Sequence, residues 1–242
     1  QSELTYVNVL KMLECAALPL LSHDREDNMP LVFAGGPGAY NPEPLAPFID
    51  FFVIGDGEEV ILEIVACLRR HRAAPRTKQI AALSELEGVY VPHLHAVETL
   101  ADGRRVPVVS ERPIRARFVE NLDAASFPVR CVIPYTQLVH DGAAIEVLRG
   151  CTHGCRFCQA GMLTRPVRER SSTTVDALLE ETLATSGLEN ATLLSLSTCD
   201  HSRIRTLLQR TARTAAEHQA SLSLPSLRLD RFSVELADYV TP

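Results

Sequence analysis

The sequence lacks the features that mark membrane-spanning, secreted and fibrous proteins. No apolar run approaches the ~20 residues that a bilayer crossing needs, and no signal peptide precedes the first charged segments. Repeats and low-complexity tracts are absent, and 46% hydrophobic with 22% charged residues is a globular composition. We therefore expect a cytoplasmic globular protein. The absence of a starting Met further predicts a piece of a longer polypeptide.

Basic residues are also in short supply. The 242 residues include 24 Lys and Arg against 30 Asp and Glu, which gives a net charge of −6 at pH 7. This balance argues against a protein that coats nucleic acid, although a local basic patch is compatible with it. The length is enough for one large domain or two modest ones.

The N-terminal part alternates helical and strand-like patterns. Residues 4–18 carry apolar side chains all round and predict a packed helix. Short apolar runs at 31–34 and 51–54 each end in a glycine-rich turn, and apolar residues at helical spacing follow over 60–68. Strand, glycine turn and helix in succession predict part of a doubly wound α/β sheet.

The two glycine-rich turns are neither a G-x-G-x-x-G fingerprint nor a P-loop. The acidic Asp56, Glu58 and Glu59 in the second turn would repel a phosphate. A neutral, flat ligand is therefore favoured over a dinucleotide, but the residues by themselves favour plain strand-to-helix turns over any ligand site.

The alternation of strands and helices stops in a connecting segment and resumes beyond residue 126. Two extended runs flank Asp102-Gly103, which predicts a hairpin in a connecting segment. Beyond residue 126, strands are predicted at 145–148, at 192–198 with Leu194 and Leu196 as its apolar face, and at 221–230 with a slip in the apolar phase at Pro225-Ser226. Helices at 175–187 and 204–215 separate them, as at the start of a barrel or an open sheet.

Three of the seven cysteines crowd into eight positions of one loop, as Cys151, Cys155 and Cys158. An odd cysteine count without a secretory signal favours a metal site over disulfides. Three thiolates can hold three corners of an iron–sulfur cube and leave the fourth iron open to a substrate. A structural zinc site, built by these cysteines alone or together with His153, is the alternative.

The remaining cysteines and nearby arginines are secondary. Cys15 and Cys67 are predicted to be buried, Cys131 has no predicted partner, and Cys199 is expected to pack in the core. Five arginines surround the cysteine loop and would favour an anionic cluster, with a solvated surface helix or a nucleic-acid patch as alternatives; they are Arg149, Arg156, Arg165, Arg168 and Arg170.

The run RGCTHGCRFCQAGM at 149–162, followed by RPVRERS at 165–171, resembles the radical S-adenosylmethionine (radical SAM) superfamily. It is similar to a branch of that superfamily with an N-terminal cobalamin-binding domain. The segments VFAGGP at 32–37 and DFFVIGDGEE at 50–59 are similar to the last two strand–loop units of those cobalamin domains. The corrinoid motif D-x-H-x-x-G does not occur.

The resemblance implies a cofactor set. Cys151, Cys155 and Cys158 would bind a 4Fe–4S cluster, and Phe157 would lie near the adenine of S-adenosylmethionine. Reduction by an electron donor such as flavodoxin or ferredoxin would cleave S-adenosylmethionine to a 5′-deoxyadenosyl radical. The glycines of the two N-terminal turns would contact cobalamin; they are Gly35, Gly36, Gly55 and Gly57.

The resemblance also implies where S-adenosylmethionine binds. The superfamily often uses Gly-Gly-Glu after the second strand to bind the methionine ammonium. This chain has Ser195-Leu-Ser-Thr-Cys-Asp200 there, so Ser197, Thr198 and Asp200 are the expected replacements. Ser226 and Arg228, after the third strand, would face the ribose or the carboxylate.

The expectation is thus an α/β chain in which a partial doubly wound, Rossmann-like sheet precedes a partial radical SAM (β/α) barrel. The expected domains are the end of a cobalamin-type domain at 1–75, a linker at 76–125 and the barrel start at 126–242. The expected function is a radical SAM enzyme with cobalamin as a candidate further cofactor, and the sequence leaves its substrate open. The alternatives are a zinc-stabilised RNA-binding module and a radical SAM tRNA methylthiotransferase. The latter carries three further N-terminal cysteines, whereas only Cys15 and Cys67 occur here.

Overall fold

The computed structural model describes residues 3–108, 113–136, 141–228 and 234–239. The chain forms two compact units that meet in sequence between Val119 and Glu120, called unit 1 and unit 2 below. Both units mix helices with sheets, so the predicted α/β class is confirmed. Over these described residues, no helix has the length and apolarity to cross a membrane.

Unit 1 is built around a small mixed sheet in the order β1-β2-β3, in which β1 is parallel and β3 antiparallel to β2. The predicted hairpin is confirmed as β4 and β5, whose turn contains Gly103 at φ +83°; Val109, included in its second run, lies outside the described residues. The elements of unit 1 are α1 Tyr6–Cys15, β1 Phe33–Ala34, β2 Phe51–Val53, α2 Val60–Arg70, α3 Arg76–Leu83, β3 Val89–Tyr90, β4 Val97–Thr99 and β5 Arg105–Pro107.

Strand β2 divides the apolar core of unit 1 into two clusters. All three of its side chains are buried, as in a strand covered on both faces. Phe51 and Val53 pack with α2 and α3, whereas Phe52 packs in a second cluster with Leu45 and Ile49. Helix α3 and strand β3, within the predicted linker, therefore contribute to the first of these clusters.

Helix α1 differs from its prediction. It spans Tyr6–Cys15, and Leu13 is its buried residue. Tyr6 and Val9 pack against the second cluster, but Leu4, Val7 and Met12 are exposed, and so is Cys15. The predictions of apolar packing all round the helix and of a buried Cys15 were therefore wrong, because only the face that carries Tyr6, Val9 and Leu13 meets the core.

A buried ion trio connects the irregular segments of unit 1. The Oδ2 atom of Asp50 accepts hydrogen bonds from Arg25 at 3.3 Å, from Arg76 at 2.6 Å and from the main-chain N–H of Val32 at 2.6 Å. The same arginines also donate to main-chain carbonyls, namely those of Pro19, Leu20, Met29, Pro30 and Phe48. One carboxylate thereby organises loops that have no sheet partners.

Unit 2 has a parallel three-stranded sheet in the order β10-β9-β6, with Ile145 of β6 opposite Leu193 of β9. Helices α5 and α6 connect the strands in the predicted βα rhythm, and β7 and β8 form a short antiparallel pair. The elements are β6 Ala143–Glu146, β7 Leu148–Arg149, α4 Ala160–Leu163, β8 Arg168–Glu169, α5 Ser172–Ser186, β9 Asn190–Leu194, α6 Ile204–Glu217, β10 Ser221–Ser223 and α7 Val234–Ala237.

One apolar cluster joins the sheet of unit 2 to its helices. Strand β9 ends at Leu194, and its buried residues are Ala191 and Leu193. Leu194 and Leu196 are exposed, so the predicted apolar face of this strand was out of phase by one residue. Strand β10 ends at Ser223, before the predicted slip; residues 229 and 230 of the predicted strand lie outside the described residues.

Candidate functional site

Three segments of unit 2 come together after its parallel strands. The cysteine loop follows β6 and β7, residues 195–200 follow β9, and residues 224–228 follow β10. The main-chain N–H of Thr198 donates to the carbonyl of Ser226 at 3.1 Å, which joins the second and third segments. The carboxyl ends of parallel strands are where such proteins place their ligands.

Gly150 opens the cysteine loop and can only be glycine. Its φ is +93°, and a β-carbon there would lie 2.7 Å from the carbonyl oxygen of Thr164 and 2.8 Å from that of Pro166. A side chain would therefore be both strained and blocked. The loop passes directly beneath the 164–166 segment.

All three thiols of the loop are partly exposed, and no cysteine of the described residues is in a disulfide. Gly161 of α4 lies against the loop. A β-carbon on it would lie 3.6 Å from Cβ of Cys151 and 3.9 Å from Sγ of Cys158. These two side chains therefore share one side of α4, over a glycine that leaves them room.

Across the described residues, no three or more His, Cys, Asp or Glu side chains are arranged to hold a metal ion. The thiols are thus neighbours in one loop and are not gathered around one point. Metal binding commonly assembles its own ligands, because a preformed site is rarely present beforehand. Three unbridged thiols in eight residues fit the donor set of an iron–sulfur cluster with one open iron.

Two arginines that follow the cysteine loop in the sequence, one near and one distant, contact it. Arg165 donates to three successive loop carbonyls, those of Cys151 at 3.2 Å, Thr152 at 3.4 Å and His153 at 3.1 Å. Arg228 Nη1 lies 3.9 Å from the sulfur of Cys155. The structure therefore brings Arg228, one of the predicted S-adenosylmethionine residues, against a predicted cluster ligand.

The loop is also connected to the end of β9 through a side-chain pair. His153 Nε2 and Asp200 Oδ2 are 2.6 Å apart. His153 comes from between two cysteines, and Asp200 ends the turn after β9. The two residues are 47 positions apart, so no local pattern predicts their pairing, although the sequence marks both His153 and Asp200 as candidates.

Ser197 carries a buried hydroxyl that lacks a protein partner. Its residue is 2% exposed, and among the described residues its Oγ makes no hydrogen bond. The neighbouring Thr198 differs, because its Oγ1 is 2.8 Å from Oγ of Ser195. A buried hydroxyl without a partner is unfavourable and is satisfied when a ligand supplies one.

Phe157 and Ser226 take different places. The ring of Phe157 is 91% exposed. Ser226 contributes its carbonyl to the link with Thr198. Neither position tests the predicted contacts with adenine and ribose, which stay predictions.

The five arginines near the loop do not lie on a surface helix. Arg149 forms two hydrogen bonds with the Glu146 carboxylate, at 2.9 and 2.8 Å. Arg168 donates to the carbonyls of Pro166 and Thr164. Arg170 is buried, donates to the carbonyl of Leu122 and lies over the ring of Phe127. Arg165 is exposed but donates to the loop carbonyls described above, and Arg156 is exposed as well.

Cys199 and His201 flank Asp200 and are both buried. Cys199 packs in the apolar cluster of unit 2, as expected, and burial, followed by the charge of Asp200, raises the pKa of its thiol. His201 Nδ1 accepts from the N–H of Arg203, so Nε2 carries the proton and donates to the carbonyl of Arg170 at 2.9 Å. It orients the chain and is not a ligand.

The four glycines predicted to contact cobalamin differ in the space beside them. Gly36, at φ +86°, and Gly57 have nothing within 4 Å of a β-carbon position, and Gly35 lies near Val53. Gly55, at φ +103°, faces the backbone of Arg117, whose carbonyl oxygen would be 2.1 Å from a β-carbon. The space beside Gly55 is thus taken by the chain itself.

An apolar cavity of about 480 Å³ adjoins the end of β2 in unit 1. Sequence reasoning missed it, because its walls come from segments far apart in the chain. Tyr90 Oη lies 2.5 Å from Oε1 of Glu43 at its polar side. Its other lining residues are Tyr40, Pro42, Ile54, Val97, Ile114 and Ala116.

Comparison with known proteins agrees with this description. Residues 1–92 match the family model described as "Radical SAM proteins, N-terminal". The chain is 24% identical over 235 residues to the uncharacterized protein MJ0966 of Methanocaldococcus jannaschii, covering 93% of this chain and 44% of that protein.

The fold is similar to that of TsrM from Kitasatospora setae, a radical S-adenosylmethionine methyltransferase solved with cobalamin and a 4Fe–4S cluster bound. The TM-score is 0.50 at 17% identity, and the match covers 86% of this chain and 39% of TsrM. The chain therefore spans less than half the length of either relative.

The match of residues 1–92 confirms the resemblance of the sequence to radical SAM proteins, and the fold agrees with it.

Proposed function

We propose that this chain is part of a radical SAM enzyme in which Cys151, Cys155 and Cys158 bind a 4Fe–4S cluster and the ends of β9 and β10 bind S-adenosylmethionine. The observation that carries the proposal is the convergence of the cysteine loop with those strand ends. The contacts of His153 with Asp200 and of Arg228 with Cys155 support it.

When bound, a reduced cluster of this kind would supply the electron that splits S-adenosylmethionine into methionine and a 5′-deoxyadenosyl radical. The protein's own residues would hold the cosubstrate. Ser197 and Asp200 would accept hydrogen bonds from its ammonium group, since one has an unpartnered buried hydroxyl and the other a carboxylate. Arg228 would pair with its carboxylate.

Thr198 and Ser226 would hold the two strand ends together rather than contact the cosubstrate. Their main-chain hydrogen bond fixes the two strand ends and thereby the neighbours Ser197 and Arg228. Phe157, exposed beside the last cysteine of the loop, would cover the adenine. A small electron-transfer protein such as flavodoxin or ferredoxin would supply the electron.

We further propose that unit 1 binds cobalamin with the turns after β1 and β2. The family match over 1–92 and the cobalamin bound to TsrM support this. Open space beside Gly36 and Gly57, and the neighbouring apolar cavity, would admit a large flat ligand. Gly35 would lie at the edge of this surface, whereas the role of Gly55 would be to admit Arg117.

The proposed organisation keeps the predicted order of domains. A cobalamin-type, Rossmann-like part at 1–75 would be followed by a connecting part at 76–125 and by the first βα units of a radical SAM barrel at 126–242. The parallel β6, β9 and β10, with α5 and α6 between them, support the barrel assignment.

Zinc is the competing occupant of the cysteine loop. A histidine that gives one ring nitrogen to a carboxylate, as His153 does to Asp200, is a common arrangement beside zinc. If the loop bound zinc, the chain would be a binding module, and the proposed enzymatic function would be wrong. The methylthiotransferase alternative shares the cluster and differs in its substrate.

Anaerobic reconstitution with iron and sulfide tests the proposal. We expect the protein to acquire the visible absorption of a 4Fe–4S cluster and, with dithionite, to release 5′-deoxyadenosine from S-adenosylmethionine. Cys155→Ala should abolish both, whereas Cys131→Ala, at an exposed cysteine outside the loop, should abolish neither. Zinc uptake without iron, or unchanged cleavage by Cys155→Ala, would contradict the proposal.

Cobalamin binding is tested separately. Equilibrium dialysis of the full-length protein against hydroxocobalamin should show saturable retention. Substitution of Gly57 by Trp would fill the open space there and should reduce retention, and Gly103→Trp in the β4–β5 turn is the control. Failure of the full-length protein to retain cobalamin would remove this part of the proposal.

A further inference from the structure

His153 lies between Cys151 and Cys155, and its side chain reaches another element of unit 2. Its Nε2 lies 2.6 Å from Oδ2 of Asp200, and the two side chains are 23% and 20% exposed. A separation this short is typical of a charge-assisted hydrogen bond. The pair therefore connects the cysteine loop with the turn after β9.

Both partners of this pair are held by their backbones. The carbonyl of His153 accepts from Arg165 at 3.1 Å. The N–H of Asp200 donates to the carbonyl of Ser197 at 3.1 Å, and the same turn is joined to β10 through Thr198 and Ser226. With the two backbones held, the hydrogen bond restricts the orientations of the imidazole and the carboxylate.

We infer that His153 is the positioning residue of the S-adenosylmethionine site: it orients the Asp200 carboxylate so that this group receives the cosubstrate's ammonium. The inference rests on the proposed function. A carboxylate offers about four lone-pair sites, so accepting one hydrogen bond from His153 leaves it able to accept others. Orientation matters because a misdirected carboxylate gives up hydrogen bonds to the bound ammonium.

The alternative is that the pair only stabilises the fold, and unit 2 contains a matched pair for comparison. His218 Nε2 lies 3.0 Å from Oε2 of Glu180, between helices α5 and α6 and away from the cysteine loop in sequence. The His218 side chain is 25% exposed, close to the 23% of His153, whereas Glu180 is 53% exposed against 20% for Asp200. Loss of this pair removes a His–carboxylate contact without touching the proposed site.

The experiment measures binding of S-adenosylmethionine to the reconstituted protein. His153→Ala should retain the iron content of the wild type and raise the Kd for S-adenosylmethionine about tenfold, as expected for one lost hydrogen bond to a charged group. His153→Gln should restore much of the affinity, because its amide can donate to Asp200. His218→Ala should bind as the wild type does.

A double variant separates positioning from independent contributions. If His153 acts through Asp200, His153→Ala combined with Asp200→Asn should bind no more weakly than Asp200→Asn alone. The electron paramagnetic resonance spectrum of the reduced cluster should also respond less to S-adenosylmethionine in His153→Ala. In the cluster-free protein, His153→Ala and Asp200→Asn should each speed amide hydrogen exchange in residues 150–158.

The outcomes distinguish this inference from the proposed function. Wild-type protein that takes up no iron overturns both. Wild-type protein that binds iron and S-adenosylmethionine, together with a His153→Ala variant of unchanged affinity, overturns the inference alone. Losses that add in the double variant, or a His218→Ala variant as weak as His153→Ala, also overturn it.

Discussion

Units 1 and 2 use their polar residues differently. In unit 1 the sheet strands are two or three residues long, and Asp50 with its two buried arginines ties the loops around them. In unit 2 the strands of the parallel sheet share one apolar cluster with α5 and α6. Its polar side chains Ser197, Asp200 and Arg228 gather instead beyond the strand ends.

The difference shows two ways to support the loops beside a sheet. A buried charge network can hold irregular backbone where a sheet is too short, but each member then depends on the others. An apolar core holds the strands of unit 2 together, so they do not depend on the polar residues beyond their ends. Substitutions in the two units test this contrast.

Asp50→Ala should destabilise the protein most. It leaves the Arg25 and Arg76 guanidinium groups buried without the carboxylate that they share, and loss of one partner of a buried pair costs about 4 kcal/mol. Urea unfolding would measure the loss. Asp102→Ala, at an exposed pair with Arg104, should leave the midpoint nearly unchanged. Equal effects of the two substitutions would show that the trio does not support unit 1.

Leu193→Ala should have the next largest effect. Leu193 is fully buried in the central strand of unit 2, and removing its side chain leaves a cavity that costs about 3 kcal/mol. The neighbouring Leu194 is 41% exposed, so Leu194→Ala is the matched control and should cost far less. Similar losses from both variants, again in urea, would mean that strand β9 faces the core differently.

Asp123→Asn should have the smallest effect, and one that depends on pH. Burial raises the pKa of Asp123, but hydrogen bonds from Ser171 and Thr174 and the charge of Arg170 outweigh it, so the pKa is lowered. A lowered pKa means that the carboxylate stabilises the fold above the usual Asp value of about 3.9 and ceases to do so as the pH falls through its folded pKa.

The measurement is the free energy of unfolding of wild type and Asp123→Asn between pH 7 and pH 3. The wild type should be the more stable at pH 7, and the difference should close as the pH falls. A difference that stays constant with pH would contradict the assignment. Ionic strength must be equal throughout, since exposed charges are screened by salt.

Local patterns predicted much of this fold. The apolar runs before glycine turns became β1 and β2, and the Asp102-Gly103 hairpin formed as expected. Helices α5 and α6 lie where the spacing of Val175, Leu179 and Leu207 placed them. Each of these signals lies within about a dozen residues, where periodicity and turn chemistry decide the structure.

What the sequence could not reveal depends on distant partners. Asp50 meets Arg25 and Arg76 across 25 and 26 residues, and nothing near Asp50 marks it as buried. Strands β3 and β8 are two residues long, too short for an alternating pattern. The phase of β9 failed for a related reason, because Leu193, Leu194 and Leu196 offer two equally apolar faces.

The sequence identified candidate residues of the site but not the contacts between them. Cys155, Asp200 and Arg228 were chosen from a motif and from strand ends. Their contacts, of Arg228 with Cys155 and of His153 with Asp200, required the fold. The unpartnered hydroxyl of Ser197 is likewise visible only once its burial is known.

The main-chain pairing beside Gly55 with Arg117 also determines when this turn can be completed during synthesis. Ile54 and Asp56 exchange main-chain hydrogen bonds with Arg117, and the Asp56 carboxylate accepts the N–H of Val119, 63 residues further on. At roughly 5–20 residues per second, the ribosome needs several seconds to supply those partners. The turn after β2 must wait that long for its last hydrogen bonds, and a protein cut at residue 92, where the family match ends, would never receive them.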